Sequence, residues 1–220
     1  MLKKILNLIF LNFKGYSLLR SYQIIECNSI CLKGKSIEFG AYKIKNKNFS
    51  TFFKGNSFFK YSNIFNHNEK NYIKADLSKK IKIKKNTFNN VIIFNVLEHL
   101  HDTDNAFKEI GKILKSKGNL IGSTPFIYQV HGAPNDYFRF TKDFYYKRLF
   151  KKFKTIEIKP LGHGPFVSSF SLLNPYLKFF PIFKEIILII SFFLDSFIQI
   201  FVTTKLKEIY PIGYFFIIKK

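Results

Sequence analysis

The chain has 220 residues, 36 Lys and Arg against 14 Asp and Glu, and a formal net charge of +22. That length suits one domain with an appendage and buries a core without disulfide or metal staples, and the 47% apolar content excludes a disordered chain. Cys27 and Cys31 are too few for a disulfide framework, and with no third cysteine and no histidine before His67 they make no metal set, so no metal is expected and a reducing compartment is.

The charge is almost all lysine; only Arg20, Arg139 and Arg148 are arginine. Lys, Asn, Ile and Phe are all abundant and share A/T-rich codons, so a biased genome accounts for much of the excess. Residues 33–85 hold 14 lysines against Glu38, Glu69 and Asp76. Nucleic-acid modules add arginine, a groove-reading helix or an aromatic RNA signature, and none accompanies these lysines. An anionic small molecule or acidic lipid is the better partner, and nucleic acid is not expected.

In chain order, MLKKILNLIFLNF starts with two lysines and an apolar run that Asn7 and Asn12 interrupt. No small-residue cleavage site follows, so it reads as a helix packing on the domain or resting on a membrane, not as a secretory signal. Residues 16–32 read as a second helix, making 1–32 a helical lead-in. A core is expected over 33–164. Residues 35–40 predict a strand meeting a glycine turn, and 41–58 a loop with a poorly defined helix. Tyr61–Phe65 and Asn71–Ala75 are short strands. Asn90–Asn95, a continuous apolar run, is the clearest strand of a parallel sheet covered on both faces. Thr103 is expected to cap a helix over 104–115, stopped by Lys117-Gly118. Asn119–Ser123 is the next strand, 142–151 a helix opened by Thr141, and 153–159 a further strand. The alternation predicts an α/β fold with a mainly parallel sheet. After Gly164 the composition turns apolar over 165–208. Residues 209–220 hold a final strand, 209–218, that returns to the sheet antiparallel to its neighbours.

Three pieces in this order carry a resemblance: Ile37-Glu38-Phe39-Gly40-Ala41 after the first strand, Asn95-Val96-Leu97-Glu98-His99-Leu100 after the buried strand, and Leu114-Lys115-Ser116-Lys117-Gly118-Asn119-Leu120-Ile121 followed by Ser123-Thr124-Pro125-Phe126. Together they resemble a class I S-adenosylmethionine-dependent methyltransferase, and more narrowly the type 11 group. His131-Gly132-Ala133-Pro134-Asn135-Asp136-Tyr137-Phe138-Arg139-Phe140-Thr141 resembles the "HG.P.DY.RFT" stretch of one branch, whose members often look like enzymes modifying sugars or surface glycans. The resemblance implies a doubly wound, Rossmann-like sheet, S-adenosylmethionine as cofactor, and methyl transfer to a polar small-molecule or glycan acceptor. It implies cofactor contacts at Glu38, Gly40, Ala41, Asp76, Asn95 and Val96.

Residues 131–139 gather an imidazole, a carboxylate, a phenol and a guanidinium. His131 is the expected base, with Asp136 and Arg139 orienting base or substrate and His99 the second choice. The alternative is a loop folded on itself, with Asp136 paired to Arg139 and His131 capping a turn. Glu98 and His99 are either a structural pair or contacts to cofactor or substrate. Two departures from the pattern stand out. Tyr42 and Lys43 occupy the place of a second glycine, where a side chain crowds the cofactor. The end of the second strand, Tyr61-Ser62-Asn63-Ile64-Phe65-Asn66, has no acid for the ribose hydroxyls, leaving Asn66 as a weaker partner. A non-catalytic scaffold and a membrane-surface binding protein are the competing functions.

Phe183–Val202 is near spanning length, but Ser191, Asp195 and Gln199 recur every four residues as a narrow wet stripe, and an acid in mid-bilayer disfavours a span. An interfacial helix or a homodimer face is expected, giving a cytoplasmic protein attached peripherally to the membrane.

Overall fold

The computed structural model describes residues 2–42, 47–65, 69–132, 134–149 and 153–220. Asn66, Lys43, His67 and Ala133 lie outside the described residues.

The helices are α1 (Leu2–Phe13), α2 (Leu18–Asn28), α3 (Thr103–Ile113), α4 (Lys142–Leu149), α5 (Pro165–Leu173), α6 (Pro181–Gln199) and α7 (Leu206–Ile209). The strands are β1 (Gly34–Phe39), β2 (Ser57–Asn63), β3 (Tyr72–Lys74), β4 (Phe88–Phe94), β5 (Leu114–Pro125), β6 (Thr155–Leu161) and β7 (Gly213–Lys219). The chain divides into two compact units: Met1–Glu26, Pro125–Gln129 and Pro160–Tyr214 form one, and Cys27–Thr124, Val130–Lys159 and Phe215–Lys220 the other.

The sheet has seven strands in the order β3-β2-β1-β4-β5-β7-β6. The first five run parallel, with Ile37 opposite Val91, Phe39 opposite Ile93 and Val91 opposite Leu120. β7 is antiparallel, as expected: Lys220 N–H donates to Gly118 at one end, and Phe126 N–H donates to Ile212 at the other. The doubly wound α/β class follows from chain direction. From β1 the chain steps outward through β2 to β3, then returns to place β4 on the other side. The carboxyl ends of β1 and β4 therefore flank the switch point where such sheets bind ligands.

The core follows the apolar runs. Val91, Ile92 and Ile93 are wholly buried, as a strand covered on both faces requires. Ala106, Phe107, Ile110 and Ile113 form the buried stripe of α3. Phe49 stacks on Phe94 with ring centroids 4.0 Å apart.

Several boundaries differ from expectation. Asp102, not Thr103, caps α3, its side chain accepting from Asn105 N at 2.9 Å. β5 starts at Leu114, directly after α3, instead of at Asn119. Lys117 takes φ +61, and the ladder skips between Phe88–Leu114 and Asn90–Asn119, so the strand runs through the glycine segment with a bulge. The final strand begins at Gly213, because Leu206–Ile209 is a helical turn.

In the smaller unit the stripe of α6 points the opposite way from expectation. Ser191 and Asp195 are buried, while Ile186, Ile189, Ile190, Phe193 and Phe197 are exposed. Ser191 and Asp195 are both hydrogen-bonded. Asp195 accepts from Phe166 N at 2.9 Å and Val167 N at 3.0 Å, capping the first turn of α5. A Cβ on Gly164 would lie 2.6 Å from the Asp195 carboxylate, so only glycine admits it. Gln199 accepts from Leu206 N and donates to Val202 and Thr204, closing the turn into α7. No helix of the described residues is long and apolar enough to cross a membrane.

Candidate functional site

The site is built in the larger unit from two strand-end turns and one long loop. The first turn follows β1. Gly40 has φ +72, and a Cβ there would lie 2.5 Å from Val96 Cγ2, so the turn needs glycine on both counts. Gly40 and Val96 thus meet at the mouths of β1 and β4. Ala41 is fully buried; its N–H donates to Ser62 O and its carbonyl accepts from Asn63 Nδ2 at 2.9 Å. Glu38, 3% exposed, accepts from Phe49 N at 2.8 Å and Ser50 N at 2.9 Å. Its two oxygens anchor the 3-10 turn Phe49–Phe52, so it shapes the carboxyl-end mouth of β1 through the backbone. Asn48, absent from the expected set, exchanges hydrogen bonds with the Tyr42 backbone at 2.7 and 3.2 Å. That clamp leaves Tyr42 56% exposed.

Asn63 ends β2, one step beyond the Phe39–Ser62 register pair. Asn63 stands level with the glycine turn, a placement readable only once the strand register is fixed. Asp76 lies two residues past β3 and accepts from Ser78 N at 2.9 Å and Ser78 Oγ at 2.6 Å.

The second turn follows β4. Asn95 has φ +52, a left-handed conformation that asparagine tolerates better than other side chains, and its N–H donates to Ser123 O. The 3-10 turn Leu97–His99 follows at once. The long loop docks on that turn: Tyr137 N donates to the Glu98 carbonyl at 2.8 Å, and His99 Nδ1 lies 2.5 Å from the Asn135 carbonyl. Two sequence motifs more than thirty residues apart thereby form one cluster. The His99 and His131 rings sit edge to face, centroids 4.9 Å apart.

Asp136 organises the loop. Arg139 grips its carboxylate with two bonds, at 2.5 and 2.6 Å, and the His131 N–H donates to it at 2.9 Å. His131 Nδ1 is 3.3 Å from Asp136 Oδ2. The Arg139 hydrogen bonds hold the Asp136 carboxyl well below the usual carboxylate range. The expected ion pair of a self-folded loop is therefore real, and it also orients His131. Burial pushes the His99 imidazole down, favouring its neutral form.

Glu98 is the anomaly. It is fully buried, and neither carboxylate oxygen has a hydrogen-bond partner. Burial pushes its carboxyl up to about 8. One ligating atom from each of Glu98, His99 and His131 lies within 4.8 Å of the others.

A groove of about 820 Å³ lies elsewhere: Lys35, Phe58, Lys60, Lys82, Lys84 and Phe88 line it toward the amino ends of β1, β2 and β4. The strand-end cluster is the better site, because ligands of open parallel sheets bind beyond carboxyl ends.

Residues 56–122 match the family model described as a methyltransferase domain. No curated protein matches the chain. Among solved structures, an S-adenosylmethionine-dependent methyltransferase from Mesorhizobium loti is similar at 12% identity and TM-score 0.54, over 94% of this chain and all of that one. One from Archaeoglobus fulgidus is similar at 14% identity and TM-score 0.55, over 95% and 96%. Haemonchus contortus phosphoethanolamine N-methyltransferase 2, in complex with S-adenosylmethionine, is similar at 14% identity and TM-score 0.56; this chain covers 90% of its own length but 52% of that one.

Proposed function

We propose that this chain, a methyltransferase by its central domain and its class I fold, moves a methyl group from S-adenosylmethionine to a hydroxyl or amine of a polar small molecule or glycan. The observation that carries the reading is the meeting of Gly40 and Val96 at the switch point, inside a sheet whose central residues match the methyltransferase domain. The residues present fit the cofactor. A glycine turn opens the backbone at β1, Asn95 turns left-handed at β4, and Asn63 brings an amide to the position where an acid usually meets the ribose. Gly40, Ala41, Asn95 and Val96 would hold it, with Asp76 as the expected partner of the adenine amine and Glu38 fixing the turn from behind. When bound, the cofactor supplies a methyl made electrophilic by its sulfonium.

The chain's own work is positioning and proton removal. His131 presents Nε2 to the acceptor, because Asp136 stands against Nδ1. As the proton arrives, Asp136 stabilises the imidazolium and Arg139 keeps Asp136 ionised. The polar stretch 131–139 favours an acceptor rich in hydroxyls, such as a glycan.

The same reading places the protein in the cytoplasm, peripheral to a membrane where lipid-linked glycans are within reach. Its support is the outward apolar face of α6, joined in the same unit by exposed Leu2, Leu6, Phe10 and Phe13 of α1 and by exposed Lys3, Lys4, Lys14 and Lys178. A dimer through this face is the second occupant, which gel filtration at low and high protein concentration separates from membrane attachment. The test of the function is methyl transfer from labelled S-adenosylmethionine to a panel of sugars and glycolipids. Transfer that persists in His131→Ala at wild-type rate contradicts the proton-removal step.

A further inference from the structure

We infer that Glu98, His99 and His131 bind one divalent first-row transition-metal ion. The inference rests on the cluster itself and stands or falls apart from the methyl-transfer reading.

A buried carboxyl with no hydrogen-bond partner is costly to keep, and buried acids are normally paired or coordinate a metal. Glu98 has no hydrogen-bond partner at either oxygen, with its side chain fully buried. Beside it are two imidazoles, each with an oxygen close to its Nδ1. His99 Nδ1 faces the Asn135 carbonyl at 2.5 Å, so that nitrogen carries the proton and the lone pair is on Nε2. His99 Nε2 is 3.8 Å from Glu98 Oε1. His131 Nδ1 faces Asp136 Oδ2 at 3.3 Å, which likewise leaves the lone pair on Nε2. A carbonyl or carboxylate behind each imidazole is how metal-bound histidines are held in tautomer and orientation.

The charges agree. Arg139 acts electrostatically on Glu98, and Asp136 neutralises it through two hydrogen bonds. One carboxylate then balances half the charge of a divalent ion. Two imidazoles and one carboxylate select Zn²⁺, Co²⁺, Mn²⁺ or Fe²⁺ over Mg²⁺ and Ca²⁺, which prefer all-oxygen shells. The ligating atoms lie within 4.8 Å of one another. Metal–ligand bonds of ~2.1 Å call for spacings of roughly 3.4 Å, a closure within the reach of side-chain rotation. Three protein ligands leave positions open, the pattern of catalytic rather than structural sites. A ligated His131 Nε2 takes no proton, so the proton-removal role of His131 belongs to the metal-free protein.

Co²⁺ titration of the untagged, chelator-treated full chain tests this. The expected result is one equivalent bound with visible d–d absorption, displaced by Zn²⁺. Glu98→Gln should weaken binding at least tenfold. Asp136→Asn should weaken it about 10–100-fold through His131. His101→Ala, outside the cluster, should leave it unchanged. Should Glu98→Gln fail to fold, His131→Ala serves, since that side chain is 30% exposed. Absence of stoichiometric Co²⁺ binding, or binding indifferent to Glu98→Gln and His131→Ala, overturns the inference.

Discussion

Two glutamates stand at the ends of adjacent parallel strands and are treated in opposite ways. Glu38 is 3% exposed and spends both oxygens on backbone N–H groups at Phe49 and Ser50. Glu98 is 0% exposed, and neither of its oxygens has a hydrogen-bond partner. Burial is the same; satisfaction is not. A buried carboxylate with two donors fixes a loop, whereas one without donors weakens the fold unless something binds it. The β1 turn is therefore pinned by its buried glutamate, and the β4 turn is not.

The largest expected effect comes from breaking the satisfied side. Glu38→Ala removes two charge-assisted hydrogen bonds at ~1.5–3 kcal/mol each, so stability should fall by about 3–6 kcal/mol in urea unfolding. Glu98→Gln should be neutral or stabilising in the metal-free protein, since it removes a carboxyl that burial holds protonated near neutral pH. Equal losses at the two positions would erase the contrast.

Next in size is His131→Ala, which should lower turnover by ~10²–10⁴ with little change in cofactor affinity. A loss of only tenfold leaves His131 a structural role.

A pH series sharpens the same contrast. The Glu98 carboxyl is raised to about 8 in the folded chain, against ~4.3 when unfolded. The unfolded state then releases its proton first, so the contribution of Glu98 to stability is fully present below pH ~4.3 and is lost as pH rises through about 8. The chelator-treated wild type should lose stability relative to Glu98→Gln across that window. Parallel curves would show that Glu98 ionises unhindered.

The smallest effect concerns α6. Ile190→Asp, on the exposed face, should release the protein from anionic liposomes in flotation while leaving its melting temperature within a few degrees. Ile187, half-buried in the structure, would confuse packing with attachment. A wild type that floats free at low salt points to the dimer face.

The alternation of strands and helices was legible because continuous apolar runs such as 90–95 and the stripe of α3 are local signals. The meeting of the NVLEHL and HG.P.DY.RFT segments was not legible, because the hydrogen bonds that join them, from Tyr137 to Glu98 and between His99 and Asn135, are long-range. The start of β5 was hidden for a similar reason. Lys117-Gly118 looks like a helix stop, but its backbone pairs with Lys220 at the far end of the chain. Period alone gave α6 a polar stripe without saying which way it faced; the answer lies in the α5 amides that Asp195 satisfies. The missing partners of Glu98 could not be read from sequence at all, because a vacancy among neighbours has no local signature.

Calorimetric titration with S-adenosylmethionine tests the central claim most directly, that the β1 and β4 turns form a cofactor site. The expected result is one equivalent bound. Gly40→Val should weaken it sharply, because φ +72 and the 2.5 Å approach to Val96 Cγ2 exclude a side chain there. No heat at millimolar cofactor from a folded wild-type protein would contradict the account and leave a methyltransferase fold that no longer binds its donor.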